Sequence, residues 1–236
     1  MEGTRTRILA LETATPTASV ALLEGTETRL VWILERPQMH AERLMPAVEE
    51  ALAHAGWRYE DLQAVAVSAG PGSYTGLRIG TSTAKGLCFA LGIPLIPVPT
   101  LEALAWGVNP IAGHLGVDIL AAIDARREHV YAALYRPGNE PELLWGPELS
   151  PISALVARLA GPVLLVGPGS RKSAHALQAS AKESILLPDS WIRPSAEWVA
   201  QRAQIRLLRG QTADIASFEP WYLRDFVAGP ARNPFS

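Results

Sequence analysis

From Arg7 to Trp106 the chain alternates apolar runs with turn formers in one particular order, and that order narrows the fold more than any other feature. Arg7 to Leu11 is apolar, Thr13 to Thr17 with Pro16 reads as a turn, and Ala18 to Leu23 is apolar again. Gly25 and Thr26 mark a second turn before the apolar stretch from Leu30 to Glu35. Runs this short, joined by tight turns, predict three hairpin-like strands. Ala41 to Ala55 then sets Leu44, Val48, Ala51 and Leu52 on one helical face. Pro46 lies inside that helix and predicts a kink or a late start, because proline lacks an amide donor and crowds the preceding turn. Gly56 ends the helix. The A-V-A-V run before Ser68 reads as a buried strand, and a loop from Gly70 to Gly76 leads into a helix over about Tyr74 to Leu91, closed by Gly92. The prolines of I-P-L-I-P-V predict a short edge strand. Thr100 to Trp106 reads as a short helix, with Thr100 as its cap and Glu102 in its first turn.

Three strands followed by helix, strand, helix, strand and helix is the unit of the actin-like ATPase and sugar-kinase fold, an α/β arrangement of the ribonuclease H-like kind. It is not the strict alternation of a doubly wound nucleotide fold. The second half opens similarly. I-L-A-A-I-D (Ile119 to Asp124) and V-Y-A-A-L-Y (Val130 to Tyr135) read as paired strands around A-R-R-E-H, followed by a loop at Pro137 to Pro141. Ile152 to Leu159 reads as helix, Pro162 to Val166 as a strand ending in G-P-G, and Ser173 to Ala181 as helix. Ser195 to Arg209 is a helix capped by Ser195 and stopped by Gly210. Gly, Asn and Pro cluster between Gly107 and Leu115, which places the expected boundary there. The expectation is an N-terminal lobe of residues 1–107 and a C-terminal lobe of residues 108–236, each a mixed sheet flanked by helices. No repeat of 20 to 50 residues is visible.

Composition removes several function classes. The formal net charge is −2, whereas a chain built to grip nucleic acid carries a basic excess, so any RNA role is expected to be indirect. Cys88 is the one cysteine, which rules out an intrachain disulfide and suits a reducing compartment. No apolar segment reaches the roughly 20 residues of a membrane span. M-E-G-T-R-T-R leads only into the short run Ile8 to Leu11, too short for a signal peptide. The expected location is the cytoplasm, with no membrane partner.

Gly70-Pro71-Gly72-Ser73-Tyr74-Thr75-Gly76 is the first candidate for chemistry. Glycines between a strand and a helix permit close backbone approach, and free amides at a helix start favour an anion. It is not a Walker loop, because no Gly-Lys-Ser/Thr follows. It is not G-x-G-x-x-G, because three residues separate Gly72 from Gly76. It is not a nucleophile elbow, because Pro71 stands where that motif needs glycine. Two readings stay open: a phosphate contact, or a strand-to-helix turn with Ser73 or Thr75 as cap. Behind the loop, Gly76, Gly80, Ala84 and Cys88 recur every fourth residue as a ridge of small side chains. Glycine in a helix costs roughly 1 kcal/mol relative to alanine, so the ridge predicts close approach of another backbone. That backbone belongs either to the same lobe or to a partner. Leu77, Leu87, Phe89 and Leu91 give the helix further apolar surface.

Glu12 and Asp124 sit at strand ends where the lobes of such a fold face each other. An ATPase needs a carboxylate there to hold a metal through water, yet Thr-Ala-Thr-Pro follows Glu12 in place of a glycine turn. Both carboxylates fit capping equally well. His40, His54, His114, His129 and His175 include no pair at ligand spacing on one helix, so no metal set is expected. No Ser/His/Asp set at a recognisable spacing supports a peptidase.

Several ordered motifs resemble the TsaB family, the partner of the threonylcarbamoyltransferase TsaD in bacterial tRNA modification. I-L-A-L-E-T-A-T-P-T-A-S-V-A-L-L resembles its opening hairpin, and H-A-E-R-L-M-P-A-V-E-E-A-L its first helix, with His40, Leu44 and Pro46 on the pattern. S-A-G-P-G-S-Y-T-G-L-R-I-G is the most specific match, and G-I-P-L-I-P-V-P-T-L-E-A-L follows it. I-D-A-R-R-E-H-V-Y-A-A-L-Y, V-G-P-G and E-P-W-Y-L-R match more loosely. The resemblance implies a non-catalytic scaffold that binds TsaD, is joined by the small ATPase TsaE, and supports modification of adenosine 37 in tRNAs. The histidine pair of TsaD's metal site would fall at Thr100 and Leu104, neither a ligand. The implied partner surface is the two helices: Leu44, Val48, Leu52, Gly76, Leu77, Gly80, Thr83, Ala84, Leu87 and Cys88. Without TsaD the same surface is expected to form a homodimer. The implied nucleotide contacts are Glu12, Thr13, Gly72, Ser73, Thr75 and Gly76, with ATP or ADP at the complex interface and no cofactor held tightly. The competing reading is an autonomous actin-like ATPase or small-molecule kinase using Glu12, Asp124 and the Gly70 loop.

Overall fold

The computed structural model describes residues 5–35 and 40–222, with His40 described by its backbone alone. The M-E-G-T start, the His40 side chain in the helix motif, and the Leu223–Arg224 end of E-P-W-Y-L-R lie outside the described residues.

The first sheet holds β1 (Arg7–Glu12), β2 (Ala18–Glu24), β3 (Glu27–Leu34), β4 (Ala64–Ser68) and β5 (Leu95–Val98), in the order β3-β2-β1-β4-β5. The first three strands pair antiparallel, and β4 and β5 add in parallel. The second holds β6 (Asp118–Asp124), β7 (His129–Arg136), β8 (Glu142–Pro151), β9 (Val163–Val166) and β10 (Ser184–Leu186), in the order β10-β9-β6-β7-β8. Read from β8, the second sheet repeats the first position by position, with the same pairing senses. The repeat is one of topology and not of sequence.

Strand side chains alternate between faces, and here both faces of the first sheet are covered. Leu9, Leu11, Val65 and Val67 meet α1 (His40–Ala55) and α2 (Tyr74–Leu91) on one side. Ile8, Ala10, Ala64 and Ala66 meet α7 (Ala196–Leu208) on the other. Alanines on both sides of that contact, Ala10, Ala66, Ala200 and Ala203 among them, let helix and sheet approach closely. The second sheet packs α3 (Thr100–Leu115) on one face and α4 (Ile152–Arg158) with α5 (Ser170–Ala179) on the other. The short α6 (Asp189–Ile192) precedes α7.

Three expectations are corrected. The late start suggested by Pro46 does not occur: α1 begins at His40 and runs unbroken through Pro46. The segment Gly107–Leu115 is the second half of α3 and not a linker, so a division at 107/108 would cut a helix. The helix expected with the C-terminal lobe, α7, lies on the first sheet, while α3 lies on the second. Each half thus lends its last helix to the other half's sheet. The crossing is tight: a Cβ on Gly107 would lie closer than 3 Å to the Trp198 indole. Arg202 bridges Glu102 on α3 and Glu140, Arg206 reaches Glu102 at 2.7 Å, and Arg209 bonds Glu140.

Candidate functional site

The β1–β2 turn, the loop after β4 and the start of α2 meet at one end of the first sheet. Glu12, 1% exposed, closes β1. Its carboxylate accepts from the Ala14 amide at 2.7 Å and pairs with the Ser68 hydroxyl at the end of β4. Burial pushes its pKa up to about 7; the bonds to Ser68 and Ala14 pull the other way but do not offset the lost hydration. Glu12 therefore caps its own turn inside the protein.

Thr13 is fully buried, and its hydroxyl donates to the Gly76 carbonyl at 2.8 Å. The Ser73 amide donates to the Ala14 carbonyl at 2.7 Å. A Cβ on Gly72 would lie within 3 Å of Ala14, one on Gly76 within 3 Å of the Thr13 carbonyl, and one on Gly80 within 3 Å of the Thr13 hydroxyl. The backbone for which these glycines make room is the chain's own β1–β2 turn. Two readings are corrected together. Gly72 and Gly76, expected to face a nucleotide, pack on that turn, while Ser73 touches it through its amide and is otherwise exposed, its hydroxyl capping the helix by accepting from Gly76 N at 3.3 Å. Thr75 is exposed. Gly76, Leu77, Gly80, Ala84 and Cys88, expected to face a partner, are buried within the chain. So are Leu44, Val48 and Leu52, which fill the core between α1 and the sheet. Thr83 and Leu87 are half-buried.

Gly70 has φ +100°, and a Cβ there would meet the Trp221 carbonyl within 3 Å. The Trp221 amide donates to Ala69 O at 2.7 Å, and the Tyr222 ring lies 4.8 Å from that of Tyr74. Residues 213–222 thus strap the loop down, helped by Lys85 donating to the Ala216 and Phe218 carbonyls. The loop after β9 repeats the device. Gly167 has φ +99°, and the Gly169 amide donates to Ala122 O at 2.9 Å. Asp124 closes β6 as Glu12 closes β1 and caps the Arg126 amide at 2.8 Å, but it is exposed and paired with Lys172 at 3.2 Å. Thr100 and Leu104 are fully buried. Among the described residues no three His, Cys, Asp or Glu side chains gather to hold a metal, and no helix is long and apolar enough to cross a membrane.

What faces outward on α2 is a different set of residues. Phe89 is 84% exposed, beside exposed Ser82, Gly86 and Ala90. A Cβ on Gly86 would meet nothing within 4 Å. The signal for this face was an aromatic residue off the helix's small-residue ridge.

Comparison with known proteins gives a consistent picture. The family model described as TsaD, tRNA N6-adenosine threonylcarbamoyltransferase, matches residues 36–186. The tRNA threonylcarbamoyladenosine biosynthesis protein TsaB of Escherichia coli is 35% identical over 232 residues, covering 94% of this chain and 96% of that protein. The structure of YeaZ from Pseudomonas aeruginosa is similar with a TM-score of 0.77 at 30% identity, covering 92% of this chain and 100% of that one. The ADPNP-bound activator of the 2-hydroxyisocaproyl-CoA dehydratase from Clostridium difficile matches at a TM-score of 0.51 and 12% identity, over 87% of this chain and 97% of that one, a likeness of fold alone.

Proposed function

The chain belongs to the TsaB family of tRNA threonylcarbamoyladenosine biosynthesis proteins, and from that premise we propose that it is a non-catalytic subunit that activates TsaD by docking on it. One observation carries the reading. Glu12, the carboxylate an actin-like ATPase would use at the end of β1, is committed to holding the fold together, while α2 turns an exposed phenylalanine outward. Glu12 is walled in and the Gly70–Gly76 loop is packed on the β1–β2 turn. Phe89, Gly86 and Ala90 form an apolar, low-relief patch on which a second helix can lie. The partner face proposed is therefore the outer side of α2 with the neighbouring surface of α1, and not the small-residue ridge.

In this reading TsaE joins the pair, a second copy of the chain covers the same face when TsaD is absent, and ATP or ADP is held at the junction of the complex. The test is a reconstituted modification reaction with TsaD and TsaE, with and without this chain, beside calorimetry of the chain alone with ATP and magnesium. The scaffold reading expects modification to depend on the chain and the chain alone to neither turn over nor tightly bind ATP. Turnover by the isolated chain would replace it with the autonomous ATPase reading.

A further inference from the structure

The β6–β7 turn, A-R-R-E-H from Ala125 to His129, has no role in the scaffold reading. Among the described residues only three non-glycine positions have positive φ, and two are adjacent in this turn: Arg126 at 68° and Arg127 at 49°. Left-handed backbone is costly for a residue with a Cβ, and hairpin turns of this kind usually place asparagine or glycine there. Nothing about the turn is loose. Arg126 O accepts from His129 N, Glu128 O from Ile152 N, and His129 O from Ala125 N. The Lys172 ammonium, at the start of α5, donates to Arg127 O and pairs with Asp124 at the turn's base. Every carbonyl from Arg126 to His129 is thus held. Strain maintained by a fully bonded surrounding marks a position kept for its side chains.

Both side chains are exposed. Most arginines among the described residues pair with a carboxylate: 5, 7, 29, 43, 136, 158, 171, 193, 202, 206 and 209. Arg126 and Arg127 do not, and they are the one adjacent pair of which this is true. Glu128, also exposed, offsets part of their charge. Arg171 and Lys172 in the first turn of α5 are already paired, with Asp189 and Asp124, so the unpaired positive charge at this end of the second sheet rests on Arg126 and Arg127. Guanidinium forks match phosphate oxygens in paired hydrogen bonds.

We propose, in place of the indirect RNA role suggested by the net charge of −2, that the Arg126–Arg127 turn is a local phosphate-backbone contact for the tRNA being modified. The choice of RNA as the polyanion rests on the proposed function above. The contact is sequence-independent and positions the RNA without reading its bases.

The test is fluorescence anisotropy of a labelled, unmodified tRNA titrated with the full chain, alone and mixed with TsaD, over a series of potassium chloride concentrations. The variants are the double substitutions Arg126→Gly with Arg127→Gly and Arg126→Lys with Arg127→Lys. Glycine relieves the backbone strain while removing the charge, so the first variant melts no lower than the parent. It is expected to bind tRNA on the order of tenfold more weakly, with a salt slope shallower by about two, one for each lost phosphate contact. The lysine variant is expected to retain most of the slope. Unchanged affinity and slope in the glycine variant overturn the proposal. So does a glycine variant that loses TsaD while binding tRNA as before, which would make the turn a protein contact. Failure of the scaffold reading shows separately, as a chain that does not associate with TsaD although its tRNA titration responds to the substitutions.

Discussion

Replacing Glu12 with glutamine should make the protein more stable near neutral pH, although the residue is buried and fully bonded. Burial raises the Glu12 carboxyl from an ordinary 4.5 to about 7. At about 1.4 kcal/mol per pKa unit, that difference amounts to about 3 kcal/mol between protonated and ionised Glu12. The unfolded chain loses this proton near the ordinary value, and the folded chain only near 7. Folding therefore takes up a proton between those limits. The stabilisation from a neutral Glu12 is complete below the unfolded pKa, declines as pH rises, and is gone above about 7. A glutamine keeps the bonds: its oxygen accepts from the Ala14 amide, and its amide donates to Ser68 Oγ, which donates onward to Leu11 O. It carries no charge to desolvate. The assay is thermal unfolding of parent and Glu12→Gln, followed by circular dichroism, in buffers from mildly acidic to mildly alkaline. The two should melt together below the unfolded pKa. Above neutrality the variant should melt about 6–12 °C higher, from a shift of 2–4 °C per kcal/mol for a chain of this size. Parallel profiles across the range would refute the placement of Glu12 as a buried carboxyl whose two hydrogen bonds do not offset its lost hydration.

Three further outcomes follow from the packing. Gly76→Ala forces a methyl against the Thr13 carbonyl, where backbone cannot give way, and should cost about 1–3 kcal/mol by chemical denaturation. Gly80→Leu should fail by the same steric route, so any loss of partner binding will track its loss of folded protein. Arg202→Ala removes the guanidinium shared by Glu102 and Glu140 at the α3–α7 crossing, but Arg206 still pairs with Glu102 and Arg209 with Glu140, so it should cost about 1–3 kcal/mol by chemical denaturation.

The first half of the fold was legible because its punctuation is local. Gly56 and Gly92 take positive φ at the helix ends where their position in the pattern put them, and Ser73 and Ser195 cap the helices they precede. The second half was less so. E-L-L-W-G-P-E-L-S-P contains a glycine and two prolines, yet forms β8, because an edge strand needs ladder bonds on one side only. Pro110 sits inside α3, whose apolar face is held by the second sheet. Nothing in the local pattern of α7 names the sheet it covers. The same limit applies to the site. Glu12 was recognisable at a strand end, but Ser68, 56 residues away, was not recognisable as its partner. The ridge from Gly76 to Cys88 does signal close approach, but small residues four apart look the same whether the neighbour is a partner helix or the chain's own turn. Thr13 supplies that neighbour, and only the fold brings it there.

Docking through the outer face of α2 stands or falls on Phe89→Asp. Phe89 is 84% exposed, so the substitution should change stability by no more than about 0.5 kcal/mol. The folded variant should elute separately from TsaD in size-exclusion chromatography, and the reconstituted reaction should fall to the level seen with the chain left out. A variant that co-elutes with TsaD and supports full modification would contradict the claim.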